Sequence, residues 1–387
     1  MPAYKDDNAK GNAWFYTINL KVNGKYVQKR IRGFKTKKLA EAAMVEHKND
    51  MNKGTYIQPS KTLFSEFMSD YLNDKQTTVK KQTLGIYSSL VNNHILPKLG
   101  SIELQQLTPR NIQDLYNDLS SAGSLCDENI QKVHSLINEA LKKALAWDMV
   151  SKNVASLVAR PTATKKKMVV WEDEEMRIFL KEAKSSRFYP AYYLALVSGM
   201  RQSEILGLTW KDVDFVGNRV SITQTLSHDG KEFNDGAKTD SGSRAVSIDS
   251  ATMAVLKELK KFRVEEKVAA GPQLYQENSL VVCTAIGTPV NPRNLLRSFE
   301  AIVAKCNPVE DGKEIQIRVK KIRFHDLRHT HATMLLKQGV NVKIVSERLG
   351  HASVKITLDT YSHVLPSMQK DTAEEFGKLF YKSEDVG

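Results

Sequence analysis

The eight residues Arg160-Pro161-Thr162-Ala163-Thr164-Lys165-Lys166-Lys167 limit the fold of this chain more than any others. Proline and threonine end the helical periodicity that precedes them, and three lysines follow. A chain of 387 residues exceeds what one core holds, so a break here separates domains. Residues 60–160 read as helical, 161–168 as a basic linker and 169–387 as a mixed domain, while residues 1–58 have a strand-rich pattern of their own. The fold class that follows is multidomain α+β: a small three-stranded β-sheet with a helix, a helical bundle, and a mainly α domain with a small sheet. A solvated linker and one lying along an anionic polymer fit Lys165, Lys166 and Lys167 about equally well.

In the first module, Trp14 to Leu20 has strand composition, Asn23-Gly24 is a hairpin turn signal, and Lys25 to Arg32 returns as the next strand. A short strand near Ala3 to Lys5 completes three strands, and Thr36 caps a helix that starts at Lys37. The returning strand carries Lys25, Lys29, Arg30 and Arg32 on one ribbon, which suits a DNA groove. The plain alternative is a solvated strand whose lysines prevent edge pairing.

The helical segment shows apolar residues at helical spacing: Leu63, Phe64, Phe67, Tyr71 and Leu72, then Leu84, Tyr87, Leu90 and Val91. Pro97 is expected to end that second helix. Thr108-Pro109 opens another, with Ile112, Leu115, Tyr116 and Leu119 inward. Val133, Leu136, Ile137, Ala140, Leu141 and Ala144 mark a long one. Beyond Val169, helices are expected near 172–184, 188–200, 249–266, 293–305, 324–338 and 341–349, with strands near 219–224, 244–248 and 280–283.

Charge narrows the function. The formal net charge is +13 and the pI about 9.4, which points to an anionic partner, most often nucleic acid. Cys126, Cys283 and Cys306 are far apart with no CxxC, so neither a disulfide nor a zinc site is expected and a reducing cytosol fits. The first residues contain no apolar stretch of signal-peptide type, and the most apolar run, Ala191 to Val197, is too short to span a bilayer.

The chemistry sits near the C-terminus. His325-Asp326-Leu327-Arg328-His329-Thr330-His331 is followed by Leu349-Gly350-His351 and Tyr361. Upstream lie Arg201-Gln202-Ser203-Glu204 and Ala237-Lys238-Thr239-Asp240. Displacement at a phosphodiester builds negative charge on non-bridging oxygens, and fixed guanidiniums lower that barrier. Glu204, three residues after Arg201, is expected on the same helical face, holding it in place. His325 and Arg328 are likewise three apart. His329 and His331 read as packing or surface residues. A metal on the His325/His329 pair is disfavoured, because no HExxH glutamate accompanies it and Arg328 would repel a divalent cation. Each element alone is weak; the ordered set is specific.

That set resembles the tyrosine recombinases, and phage and transposon integrases in particular. Arg201 and Glu204, in Gly199-Met200-Arg201-Gln202-Ser203-Glu204-Ile205, match the family's first arginine box. Lys238 matches its β-hairpin lysine, His325 and Arg328 its second box, His351 its last histidine and Tyr361 its nucleophile. The resemblance spans nearly the whole chain. It implies an arm-binding module, a core-binding helical domain and a catalytic domain that cleave and rejoin DNA through a 3′-phosphotyrosine. Tyr361 then attacks, His325 takes the phenol proton, Lys238 protonates the leaving 5′-oxygen, and Arg201, Arg328 and His351 stabilise the transition state. No cofactor is required, neither ATP nor metal, because the phosphotyrosine stores the bond energy.

The partners implied are double-stranded DNA with core and arm sites and further copies of the chain in a tetramer, in a bacterial cytoplasm. An excisionase and a host DNA-bending protein are accessory partners that the sequence leaves open. Other readings are a type IB topoisomerase, a non-catalytic DNA-binding regulator and a metal nuclease. The tail from Pro366 places Met368, Thr372, Phe376, Leu379 and Phe380 near one helical face, suited to its own domain or, as the resemblance implies, to a neighbouring protomer.

Overall fold

The computed structural model describes residues 3–7, 11–22, 25–52, 57–163, 168–235, 244–307, 318–362, 373 and 376–377. Asn23-Gly24, Lys165, Lys166, Lys167, Lys238 and nearly all of the tail lie outside these residues, as does the side chain of Lys25. The chain divides into two compact units, Met1–Lys166 and Lys167–Gly387.

The first unit opens with antiparallel strands β1 (Tyr4–Lys5), β2 (Trp14–Val22) and β3 (Lys25–Phe34), in that order. Tyr16 and Ile18 on β2 are buried with Ala40 and Met44 of helix α1 (Lys37–Asn52). Thr36 Oγ1 accepts the Leu39 amide at 3.3 Å, the cap expected of it. Side chains alternate across a strand, and this divides the basic ribbon. Arg30 and Arg32 oppose Thr17 and Phe15, with the Arg30 guanidinium 4.9 Å from the Phe15 ring centre. Lys29 instead opposes buried Ile18, so it shares the face that α1 covers. The described basic face is therefore two arginines rather than the whole run. Lys25 pairs with Val22 at the start of β3.

Helices α2 (Phe64–Lys75), α3 (Lys81–Leu90), α4 (Leu96–Leu99), α5 (Pro109–Ala122) and α6 (Asp127–Ala146) form the bundle. Its core holds Phe67, Tyr71, Ile95, Ile112, Val133 and Ile137. Thr108 Oγ1 accepts the Asn111 amide at 3.3 Å, with Pro109 in the first helical position. Pro97 does not end the helix that contains Tyr87. A π-helical turn, Val91–Ile95, joins α3 to α4, and the Leu96 amide reaches back to Val91 O. Pro97 can donate no amide and its ring crowds the carbonyl four residues back. The wider turn absorbs both problems, and the helix stops only at Gly100.

The second unit contains α7 (Asp173–Ala183), α8 (Tyr189–Ser198), α9 (Gln202–Gly207), β4 (Val213–Asp214), β5 (Arg219–Ile222), β6 (Gln224–Leu226), β7 (Phe233–Asp235) and β8 (Arg244–Ser247). Then follow α10 (Ser250–Leu274), α11 (Pro292–Lys305), α12 (Asp326–Lys337), α13 (Val342–Leu349) and α14 (Val354–Tyr361). The sheets are β4-β5-β8 and β6-β7, both antiparallel. Trp171, Phe179, Tyr192 and Phe299 stack into the centre of the core. Two expectations change here. The run 280–283 is buried but joins no ladder; Leu280 bridges Thr209 and Cys283 bridges Pro289. A short apolar run signals burial before it signals a strand. Helix α10 also continues past residue 266, through a kink at Gly271. Among the described residues, no helix is long and apolar enough to cross a membrane.

Candidate active site

The end of α13 organises the site. The last carbonyls of a helix have no partner within it and carry its negative pole. Three consecutive carbonyls here each accept a different arginine. Arg244 Nε donates to Arg348 O at 2.8 Å, Arg328 Nη2 to Leu349 O at 2.6 Å, and Arg201 Nη2 to Gly350 O at 3.3 Å. Gly350 makes this approach possible, because its φ is +67° and a Cβ would stand 2.6 Å from Arg244 Nη1.

Arg201 and Glu204 are associated differently from the expected shared helical face. Arg201 precedes α9 with extended backbone (φ −71°, ψ 153°) and is its N-cap. The Glu204 carboxylate reaches back to the Arg201 amide at 2.8 Å and to Arg201 Nη1 at 2.8 Å. It also accepts Arg244 Nη1 at 3.1 Å and Nη2 at 3.0 Å. Burial by itself would raise the Glu204 pKa, but the bonds and charge of Arg244, followed by those of Arg201, hold it below the ordinary carboxylate value. One carboxylate serves two guanidiniums, so the cluster keeps positive charge.

Arg328 lies on α12 and is only 3% exposed. Its second bond runs from Nη1 to Gly199 O at 2.7 Å, at the C-cap of α8. Burial and then the charge of Arg201 pull its pKa down to about 9, which leaves it charged at neutral pH. The Arg201 side chain is 38% exposed. A guanidinium has five N–H donors in a fork that matches an anionic oxygen pair, and Arg201 is the member of the cluster most open to an incoming anion.

The imidazoles divide into distinct roles. His351 Nδ1 lies 2.8 Å from Thr357 Oγ1, and burial followed by the charges of Arg328 and Arg201 lowers its pKa to about 4. His325, the N-cap of α12, has its pKa lowered by desolvation first and then by Arg328. His331 is buried. Arg348 Nε donates to its Nε2 at 3.0 Å, so Nδ1 carries the proton and donates to Leu196 O at 2.7 Å. His331 thus packs as expected, tying α12 to α8 and α13. His329 does not simply pack: its Nδ1 lies 2.8 Å from Tyr361 Oη.

Tyr361 ends α14 and is 1% exposed, packed with Ala332, Leu336, Val345 and Leu349. Burial pushes its phenol up to about 12, opposed by the charge of Arg328. Thr357 and Tyr361 are four apart on α14, which aims them at His351 and His329 on one side of the helix.

The fold therefore brings Arg201, Glu204, Arg328, His351 and Tyr361 to linked positions around α13, with His325 against the His329 ring at a centroid distance of 5.0 Å. Lys238 lies outside the described residues, six positions before Arg244 at the start of β8. Sequence reasoning missed Arg244 and the contact of His329. Adjacency of His329 to Arg328 was a visible signal for the second; nothing local marked Arg244.

Comparison with known proteins gives the family of the chain. The model described as the phage integrase family matches residues 171–368. A phage integrase N-terminal SAM-like domain matches 63–120, and an arm DNA-binding domain matches 3–51. A XerC-like tyrosine recombinase of Caldanaerobacter subterraneus is 27% identical over 98% of this chain and 100% of its own length. The ICEBs1 integrase of Bacillus subtilis is 26% identical over 82% of this chain and 83% of its own length. In structure, the chain resembles the Tn1549 transposon integrase in complex with a circular intermediate DNA, with a TM-score of 0.66, 19% identity and coverage of 80% of this chain and 99% of that one. It also resembles a lambda integrase dimer bound to a core site, with a TM-score of 0.59, 18% identity and coverage of 93% and 94%. With the integrase model covering more than half of its length, the chain belongs to the phage integrase family and is a site-specific tyrosine recombinase.

Proposed function

We propose that this recombinase cuts one DNA strand by attack of Tyr361 on the scissile phosphate, leaving a 3′-phosphotyrosine and a free 5′-hydroxyl. Arg201, Arg328 and His351 bind the non-bridging oxygens, and Glu204 holds Arg201. Lys238 protonates the leaving 5′-oxygen, and His325 stands at the same site. A 5′-hydroxyl from another strand then reverses the first step, so the element is integrated or excised with no net loss of phosphodiester energy. The observation that carries this reading is the convergence of three guanidiniums on the end of α13, beside a tyrosine whose hydroxyl meets an imidazole.

The division of labour follows the chain. Residues 1–58 contact arm sites, chiefly through Arg30 and Arg32, with Lys25 and Lys29 on the same strand. Residues 60–160 and the catalytic part from 169 hold the core site, with Lys165, Lys166 and Lys167 in the basic linker between them. The working assembly is a tetramer on paired DNA sites in a bacterial cytoplasm; a lambda integrase tetramer bound to a Holliday junction is among the similar structures. An excisionase and a host DNA-bending protein are candidate accessory factors.

The test is a nicked half-site duplex incubated with the full chain in EDTA. Covalent protein–DNA is expected with the wild type and none with Tyr361→Phe. Binding without any adduct supports a non-catalytic regulator, loss of cleavage in EDTA a metal nuclease, and relaxation without strand exchange a topoisomerase.

A further inference from the structure

We infer that His329 holds the Tyr361 hydroxyl before cleavage and takes its proton as the phosphate is attacked. This rests on the reading of Tyr361 as the nucleophile. It moves the proton from His325, where the family resemblance puts it, to the neighbouring imidazole one turn along α12.

His329 Nδ1 is 2.8 Å from Tyr361 Oη, within range for direct transfer, with ring centroids 5.7 Å apart. Among the described residues this is the hydrogen bond of the hydroxyl. His325 meets the other histidine ring edge to face, at 89° between planes. Position is also well fixed. His329 follows Arg328, whose guanidinium is bound to carbonyls of α8 and α13. The phosphate-binding cation and the proton acceptor therefore ride on one anchored helix. Tyr361 is packed against that helix and α13.

Electrostatics supply a control. The groups that face His329 are His325, Asp326 and Arg328 on its own helix, Arg323 just before it, Tyr361 from α14 and His351 from the preceding loop. Burial first, then His325 and Arg328, lower its pKa to about 4. It is thus neutral at physiological pH, with Nδ1 free to accept the phenol O–H. With the phenol near 12, transfer in the free protein is strongly uphill, and the nucleophile rests protonated. A phosphate bound at Arg201 and Arg328 cancels positive charge that depresses the imidazole. Its proton affinity then rises when the substrate is present. In the step itself the Oη–P bond forms, the P–O5′ bond breaks, the phenol proton moves to Nδ1, and the leaving oxygen takes a proton from the acid on its own side. His329 returns its proton when the phosphotyrosine is resolved.

The experiment is single-turnover cleavage of the nicked half-site by the full chain, across neutral to alkaline pH, for wild type, His329→Asn, His329→Ala and His325→Asn. Asparagine keeps an acceptor near the Nδ1 position but takes no proton. Both His329 variants should cleave roughly 10²- to 10³-fold more slowly near neutrality. Their rates should climb with pH about tenfold per unit, as hydroxide replaces the imidazole, while the wild type stays flatter. Half-site affinity and thermal unfolding should match the wild type. His329→Asn cleaving like the wild type would reduce His329 to a positioning contact and overturn the proposal. So would a wild-type pH profile in His329→Asn, or the steep profile appearing in His325→Asn instead. The parent reading is judged separately: no wild-type adduct, or an adduct that persists in Tyr361→Phe, removes it and this inference with it.

Discussion

Arg244 shows how much one side chain can organise. Its guanidinium pairs with both oxygens of Glu204 and also binds Arg348 O. Truncation in Arg244→Ala leaves a buried carboxylate with Arg201 alone, and should cost about 2–4 kcal/mol of stability by urea unfolding. Because the Glu204 pKa is depressed in the fold, its contribution is present above the ordinary value of 4.5 and fades as pH falls through the folded value. The gap between wild type and Arg244→Ala should therefore close in acid; a gap that is constant with pH would count against the pairing. His331 behaves with the opposite charge type. Burial and Arg348 lower its pKa from 6.5 to about 4, so the unfolded chain binds a proton that the folded one refuses. Between those values stability should fall as pH falls, by up to about 3 kcal/mol from this residue. Urea midpoints measured against pH should be flatter for His331→Gln than for the wild type.

At the scale of elements, helix ends matter more than helix middles. Helices α8 and α13 both stop at a left-handed glycine, Gly199 and Gly350, and their freed carbonyls become the anchors of Arg328, Arg244 and Arg201. A Cβ at Gly199 would lie 2.7 Å from His331 Cδ2 and 2.8 Å from Leu349 Cδ2. Gly199→Ala should destabilise by about 1–3 kcal/mol through φ strain and the clash. It should also slow strand cleavage, since Arg328 is bound to that very carbonyl; an alanine variant with full activity and unchanged unfolding would refute this coupling. Caps such as Thr108 were legible because their partners lie within three residues. The π-helical turn before Pro97 was not, because a proline signals a helix stop and only the surrounding core, with Val91 and Ile95 fully buried, keeps the helix going. Helix α14 also escaped notice, because Ile356 and Leu358 stay exposed while the residues it buries at helical spacing are Thr357 and Tyr361.

Arg30→Glu with Arg32→Glu reverses charge on the open face of the first sheet without touching Tyr16 or Ile18 in its core. Arm-site binding should weaken steeply and its salt dependence should flatten by about 0.9 in log–log slope per lost phosphate contact. Cleavage of an isolated core site should be unchanged; a parallel loss of core cleavage would show that the sheet serves both. The sequence alone determined the class of fold, most helices, the ordered set of candidate site residues and the family resemblance, because period, cap chemistry and motif order are properties of neighbouring residues. Tertiary structure decided the rest. It alone brought Arg201 to Gly350 across 149 positions, Arg328 to Gly199 across 129 and Arg244 to Arg348 across 104. It alone set His329 rather than His325 against the Tyr361 hydroxyl. Local pattern says which residue types a segment presents, whereas a hydrogen bond between distant segments depends on where the packing of α12, α13 and α14 carries each helix end.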